Sequence, residues 1–166
     1  MNASCTLQLF ANGAWCDVGS VSLMGPEAQG WRSKTYTGYS VEWAIEHGGA
    51  RDAHAFACRF PVGLQAFEHP HWPVFLIDVL PQGFGREELL RRLGLSVTAG
   101  ESVDWRLLLA GAGNSVGNLR VKEAASWLAA SAGPLRGFTD DEVAERGDDF
   151  AEYLASHGLF VAGSSG

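Results

Sequence analysis

The sequence predicts an α+β domain, a small antiparallel or mixed β-sheet with helices packed on it. Three observations point there. The first forty residues are strand-like, with alternating segments on either side of an Asn12-Gly13 pair. The stretch from Trp72 to Val121 carries the densest apolar run of the chain, two helix starts and two helix stops. At its end, Leu119 and Val121 alternate with Asn118, Arg120 and Lys122, the period of a half-buried strand spanning Asn114 to Val121. At 166 residues and 46% apolar composition, the chain has the length and the side chains for one domain with a real core.

Taken in order, Thr6 to Phe10 places Leu7 on one face and Gln8 on the other, and Val18 to Leu23 alternates again. Asn-Gly accepts positive φ at both central positions of a tight turn, so these segments read as a hairpin. Gly25-Pro26 breaks the pattern, and a further strand is expected around Lys34 to Tyr39, where aromatic and β-branched residues gather. Ser40 is the expected cap of a short helix, VEWAIEHG, with Val41, Ala44 and Ile45 on one face and Gly48 or Gly49 as its stop. DAHAFACRFPVG fits a short strand ending at Pro61. FEHPHWP reads as an extended surface turn leading into a helix that opens on Pro73.

From Val74 to Leu80 the apolar residues fall on every side, so a helix buried nearly all round is expected, with Asp78 as a buried acceptor needing a partner. Pro81 to Gly85 interrupts it. REELLRRLG follows as an amphipathic helix with Leu89, Leu90 and Leu93 inward, Glu87–Arg91 and Glu88–Arg92 pairs at i, i+4, and Arg86, Arg91 and Arg92 on a solvated face. Asp104 is the expected cap of WRLLLAG, which Gly111 and Gly113 close. AASWLAASAGP reads as a linker or peripheral helix, and Thr139 to Glu142 as a capping box for a helix to about His157, with Val143, Phe150 and Leu154 on one stripe.

Charge and cysteine usage narrow the functional classes. A formal charge of −7, a pI near 5.1 and only two lysines, Lys34 and Lys122, argue against a surface for phosphate backbones, so no direct nucleic-acid partner is expected. Cys5, Cys16 and Cys58 form neither an even set nor a C-x-x-C pair, which suits a reducing cytoplasm. MNASCTLQLF has no basic and no apolar region of a secretory signal, and no window approaches roughly 18 continuous apolar residues. A cytoplasmic protein without a membrane partner is the expectation.

Candidate chemistry is sparse. His54 and Cys58 would share one face of a strand but have no third or fourth donor, which a zinc site needs. His69 and His71 flank Pro70 as a loose H-x-H pair. Gly113 to Gly117 matches the G-x-S-x-G of a nucleophile elbow around Ser115, yet an elbow sits between a strand and a helix and here the order is reversed. An enzyme built on Asp78, His69, His71 or Cys58 would require those groups to converge in one pocket. Phosphoryl transfer would require metal-holding acids, a base and a phosphate-binding cation. The chain has no H-x-D or D-x-x-x-x-N catalytic loop, no D-F-G or D-F-D motif beyond the partial Asp149-Phe150-Ala151, and no lysine in a V-A-x-K-like strand. No metal site and no catalytic residue are therefore expected.

The order of the motifs does carry a resemblance. An F-x-x-x-L-L-P-like helix, PVFLIDVLPQG, precedes an arginine-bearing helix and a leucine-rich helix that runs into GAGNSVGNL. This succession, with the hairpin from Thr6 to Leu23, resembles the N-terminal region of HipA-like proteins, serine/threonine kinases that act as toxins of bacterial toxin–antitoxin modules. The resemblance implies a HipA N-terminal-subdomain-like fold over 1–125, then over 126–166 a linker, a helix and the start of the glycine-rich nucleotide loop of a kinase core. In that alignment VAGSSG supplies Gly163, Ser164, Ser165 and Gly166, whose backbone N–H groups and hydroxyls would approach phosphates. The family's full-length proteins imply ATP and magnesium as cofactors, none of them bound by this chain alone. The region's implied role is non-catalytic: it supports the kinase core and contacts a HipB-like antitoxin or a second copy in a homodimer. The alternative is a self-standing, antitoxin-like interaction protein that binds and regulates a separate HipA-like kinase.

Overall fold

The computed structural model describes residues 3–97, 100–131, 137–145, 150 and 153. Strands β1 (Ser4–Ala11), β2 (Ala14–Leu23), β3 (Thr35–Tyr39), β4 (Phe67–His69) and β5 (Leu119–Val121) form one sheet in the order β4-β3-β2-β1-β5. Every neighbouring pair is antiparallel. The α+β expectation holds, with helices packed on the sheet.

The hairpin closes as its sequence requires. Asn12 and Gly13 have φ of 52° and 82°, the left-handed pair that matches a tight turn to the twist of its strands. Beyond it the strict alternation expected over Val18 to Leu23 fails, because the register shifts between Leu7 and Gln8. Leu7 pairs with Gly19 and Gln8 with Asp17, leaving Val18 as the extra residue of a bulge. The bulge lets Val18 and Val21, three apart, both face the core with Leu7 and Leu9.

β5 returns beside β1, pairing Val121 with Leu7 and Leu119 with Leu9. It lasts three residues, because helix α5 (Lys122–Ser131) starts at once. Where the strand has ended, the Glu123 carboxylate takes its place: both its oxygens lie 3.0 Å from the Thr6 N–H. AASWLAASAGP is thus largely helix rather than linker, since Ala124 and Leu128 face inward and anchor it. The expected boundary near residue 125 falls inside this helix.

Helix α1 (Val41–His47) starts where expected, the Ser40 hydroxyl accepting the Trp43 N–H at 3.2 Å. Its inward face differs. Trp43 and Ala44 are buried, while Val41 and Ile45 are 57% and 76% exposed. The indole decides the orientation: it is the largest apolar group on the helix, and its N–H finds the His54 carbonyl at 2.8 Å. The segment after α1 is a series of turns instead of the expected strand to Pro61. Tyr39 accounts for that, because its hydroxyl accepts the Phe56 N–H at 2.8 Å and donates to the Phe60 carbonyl at 2.5 Å. Its ring stacks on Phe56 at 3.9 Å, so this backbone is satisfied by a side chain rather than by a neighbouring strand.

The strand instead lies in FEHPHWP, where Phe67, Glu68 and His69 pair with Thr37, Tyr36 and Thr35, and Pro70 ends the edge strand. Helix α2 (Val74–Asp78) follows Pro73. It is too short to be enclosed: Phe75 and Leu76 are buried, but Val74 is 65% exposed and Asp78 is also at the surface. The expectation of a buried Asp78 is therefore corrected. Helix α3 (Gly83–Arg92) takes Gly83 to Gly85 into its first turn, so the interruption is shorter than expected. Helix α4 (Asp104–Gly111) is the centre of the helical layer, with Trp105, Leu107, Leu108 and Ala110 buried. Helix α6 (Asp140–Glu145) starts with the expected capping box, Thr139 N–H donating to Glu142 Oε2 at 2.8 Å and Glu142 N–H to Thr139 Oγ1 at 3.3 Å. The remainder of the expected helix to His157, save Phe150 and Tyr153, lies outside the described residues.

Candidate functional site

The four residues singled out for a nucleotide loop, Gly163, Ser164, Ser165 and Gly166, lie outside the described residues. The other candidates are dispersed. Ser115 sits in the loop between α4 and β5, and its hydroxyl donates to the Leu119 carbonyl four residues on. That bond closes the loop locally. The glycines beside it serve packing: Gly111 lies against the Pro81 ring and Gly113 against the α5 backbone at Ala124 and Ala125, where a side chain has no room. Of the two glycines in the G-x-S-x-G match, Gly113 answers the close approach of α5 and Gly117 a positive φ of 114° in open space.

His54 and Cys58 do not converge. His54 Nδ1 lies 2.8 Å from Asp52, while Cys58 is exposed and its carbonyl accepts from Arg51. His69 and His71 diverge as well. His69 turns toward Phe60, and its buried Nε2 has no hydrogen-bond partner among the described residues. Burial, then the neighbouring His71, lowers its pKa below the usual imidazole value. His71 Nδ1 lies 2.8 Å from the carbonyl of the next residue, Trp72. Among the described residues no group of three or more His, Cys, Asp and Glu side chains is placed to hold a metal ion.

The arginines of α3 form the expected solvated face only in part: Arg91 is 65% exposed, whereas Arg86 and Arg92 are 32% and 17% exposed. Glu88, whose side chain is 11% exposed, collects both Arg91 at 2.7 Å and Arg92 at 2.9 Å. The Arg91 hydrogen bonds lead in drawing the Glu88 carboxyl down to about 2, against the opposing effect of burial and with help from Arg92. Arg86 reaches 18 residues on to Asp104, at 2.8 Å. Asp104 opens α4 but is not its cap: Val103 occupies that position, and the carboxylate is turned to Arg86 and, at 3.4 Å, the Trp31 N–H. Burial would raise the Asp104 pKa, but hydrogen bonds from Ser102 and Arg86 and the arginine charge outweigh it and leave it lowered. This knot ties α3, α4 and the 3-10 helix Glu27–Arg32 into one unit. Sequence carried no sign of it, since its members are up to 73 residues apart.

No family model, curated protein or solved structure matches the chain. The geometry stands by itself.

Several open features lie around the helical layer. A cleft of about 830 Å³ lies between the 3-10 helix and the segment after α3, lined by Gln29, Arg32, Glu101 and Ser102 among others. A smaller apolar groove runs between Leu93, Leu109 and Trp127. Neither brings a nucleophile together with a base. Cys5, whose thiol burial pushes well above its usual value, is sealed in the core. Tyr39, pushed up to about 12 by burial, is committed to the backbone of residues 56 and 60. The described residues thus present a packed scaffold whose polar groups hold elements together. No helix among them is long and apolar enough to cross a membrane.

Proposed function

We propose that this chain is the non-catalytic N-terminal region of a HipA-like serine/threonine kinase toxin of a bacterial toxin–antitoxin module, acting in the cytoplasm. It supports the kinase core and contacts a HipB-like antitoxin or a second copy of the toxin. The observation that carries this reading is the ordered run PVFLIDVLPQG, REELLRRLG and DWRLLLAGAGNSVGNL, because its members pack as one block. Pro81 of the first lies on Gly111 of the third, Arg86 of the second holds Asp104 of the third, and Gly113 of the third lies on α5. The α+β architecture with its N-terminal hairpin is compatible with a HipA N-terminal subdomain.

In this reading phosphoryl transfer belongs to a kinase core, with ATP and magnesium bound there, and Gly163 to Gly166 would open its phosphate loop. Its partners are proteins, in keeping with a net charge of −7 and two lysines. The test is co-expression of this chain with the kinase core and with the antitoxin encoded beside it, followed by affinity capture. Retention of either supports the reading, and loss of both ends it. The coding sequence beyond Gly166 separates the fused form from the self-standing regulator: kinase motifs in frame favour the first, a stop codon the second.

A further inference from the structure

The helices pack on one face of the sheet, and the other face meets water at Ser4, Phe10, Ser20 and Tyr36. Alternation along the strands sends Leu7, Leu9, Leu119 and Val121 to the core and Gln8, Phe10 and Arg120 to this outer face. The bulge at Val18 places Asp17 and Trp15 on it as well, opposite Gln8 and Phe10. Arg120, Gln8 and Asp17 therefore form one row across β5, β1 and β2, with Phe10 and Trp15 beside it.

The row fixes a guanidinium in one orientation. The Gln8 amide Nε2 donates to Asp17 Oδ1 at 2.7 Å, which turns the amide oxygen toward β5, and that oxygen accepts the Arg120 Nε–H at 2.8 Å. The Arg120 guanidinium carbon lies over the Trp15 ring at 4.1 Å, and Phe10 meets Trp15 edge-on at 5.4 Å. One edge and one face of the guanidinium are thus committed, while its two terminal amino groups have no acceptor among the described residues. A counter-charge is missing too. Asp17 holds Lys122 with its second oxygen, and Glu68 holds Lys34 at the far side of the face. Burial lowers the Arg120 pKa below the usual arginine value, and no neighbouring carboxylate opposes it. A charge drawn out of water is stabilised by pairing, and the terminal N–H groups of arginine lie in one plane at the spacing of two carboxylate oxygens.

We propose that this face docks a segment of a partner protein that presents an aspartate or glutamate beside an apolar side chain, the carboxylate on the open edge of Arg120 and the apolar group on Phe10, which is 45% exposed. A single guanidinium edge suits one carboxylate. A phosphate backbone needs several uncommitted cations, and Lys122 and Lys34 are already paired. The surface follows from the sheet alone and does not rest on the kinase reading.

The test is an NMR titration of the unaltered protein with the blocked tripeptide acetyl-Phe-Glu-Phe-amide, read at the Arg120 Nε–H and the Trp15 indole N–H. Both signals move and saturate, with a dissociation constant of about 1 mM. The same peptide with glutamine in place of glutamate binds at least about fivefold more weakly. Arg120→Lys keeps the charge and loses the planar fork, so it binds the glutamate peptide at least about fivefold more weakly while its circular dichroism is unchanged. Equal binding of the two peptides to the unaltered protein, or no movement up to about 10 mM, overturns the proposal whether or not the variant folds. Tighter binding of a thymidine oligonucleotide than of the peptide would give the face to nucleic acid, and signals that move with protein concentration alone would give it to a second copy; either result overturns the proposal.

Discussion

Replacing Gly113 by alanine asks why a G-x-S-x-G sequence occurs in this chain. The added Cβ would lie 2.6 Å from the Ala125 Cα, closer still to the backbone of Ala124 and Ala125. Carbon atoms prefer about 3.5–4.0 Å, so α5 would have to retreat by about 1 Å. The helix is not free to do so: Ala124 and Leu128 are buried, and Glu123 is held by the Thr6 N–H. Overpacking typically costs about 1–3 kcal/mol, and obstruction by backbone belongs at the upper end. The narrower unfolded ensemble of alanine returns about 0.4–1 kcal/mol, leaving a net loss of about 2 kcal/mol. At this chain length that is a fall in Tm of about 4–8 °C. Thermal and urea unfolding followed by circular dichroism would measure it. Ser115→Ala, which deletes only the hydroxyl bond to Leu119, is the control and should cost about 1 kcal/mol. Unchanged stability in Gly113→Ala, or a larger loss in Ser115→Ala, would refute packing as the reason for the motif.

Asp104→Asn removes the charge from the knot with Arg86 and should cost about 1–2 kcal/mol at neutral pH. Because the folded carboxyl titrates below its ordinary value, the unfolded chain binds more protons on acidification. The contribution is therefore complete above about pH 4–5, the ordinary Asp range, and fades as pH falls through the folded value. Urea midpoints of both proteins should converge in acid; a gap that persists would place the effect in packing. Trp72→Ala empties the site of a fully buried indole that meets Trp105 edge-on at 5.6 Å, for a loss of about 3–5 kcal/mol in the same assay. Gly13→Ala forces an L side chain to φ of 82° and should cost about 1–2 kcal/mol, read as a lower Tm with unchanged far-ultraviolet signal.

What could be read from sequence was what depends on neighbours along the chain. Asn12-Gly13, the Ser40 cap, the Thr139–Glu142 box and the Leu119/Val121 alternation each involve residues within a few positions, and each is in place. Misreadings arose where a distant group set the outcome. Tyr39 replaced a strand with turns at residues 50–61, and Trp43 outweighed Val41 and Ile45 in choosing the face of α1. Asp78 was expected inside because its neighbours are apolar, but a five-residue helix has only one side against the core. Asp104 left its expected capping role for a charged partner 18 residues away. The histidines, the cysteine and the Ser115 motif looked chemical in one dimension, and the fold sends them to separate tasks.

The most direct measurement is a calorimetric titration of this chain with the kinase core and, separately, with the antitoxin encoded beside it. Saturable binding of at least one of them, with a dissociation constant of about 1 μM or tighter, is expected of a region that supports a kinase and its regulation. No heat with either partner at concentrations of about 100 μM would contradict its assignment to that role.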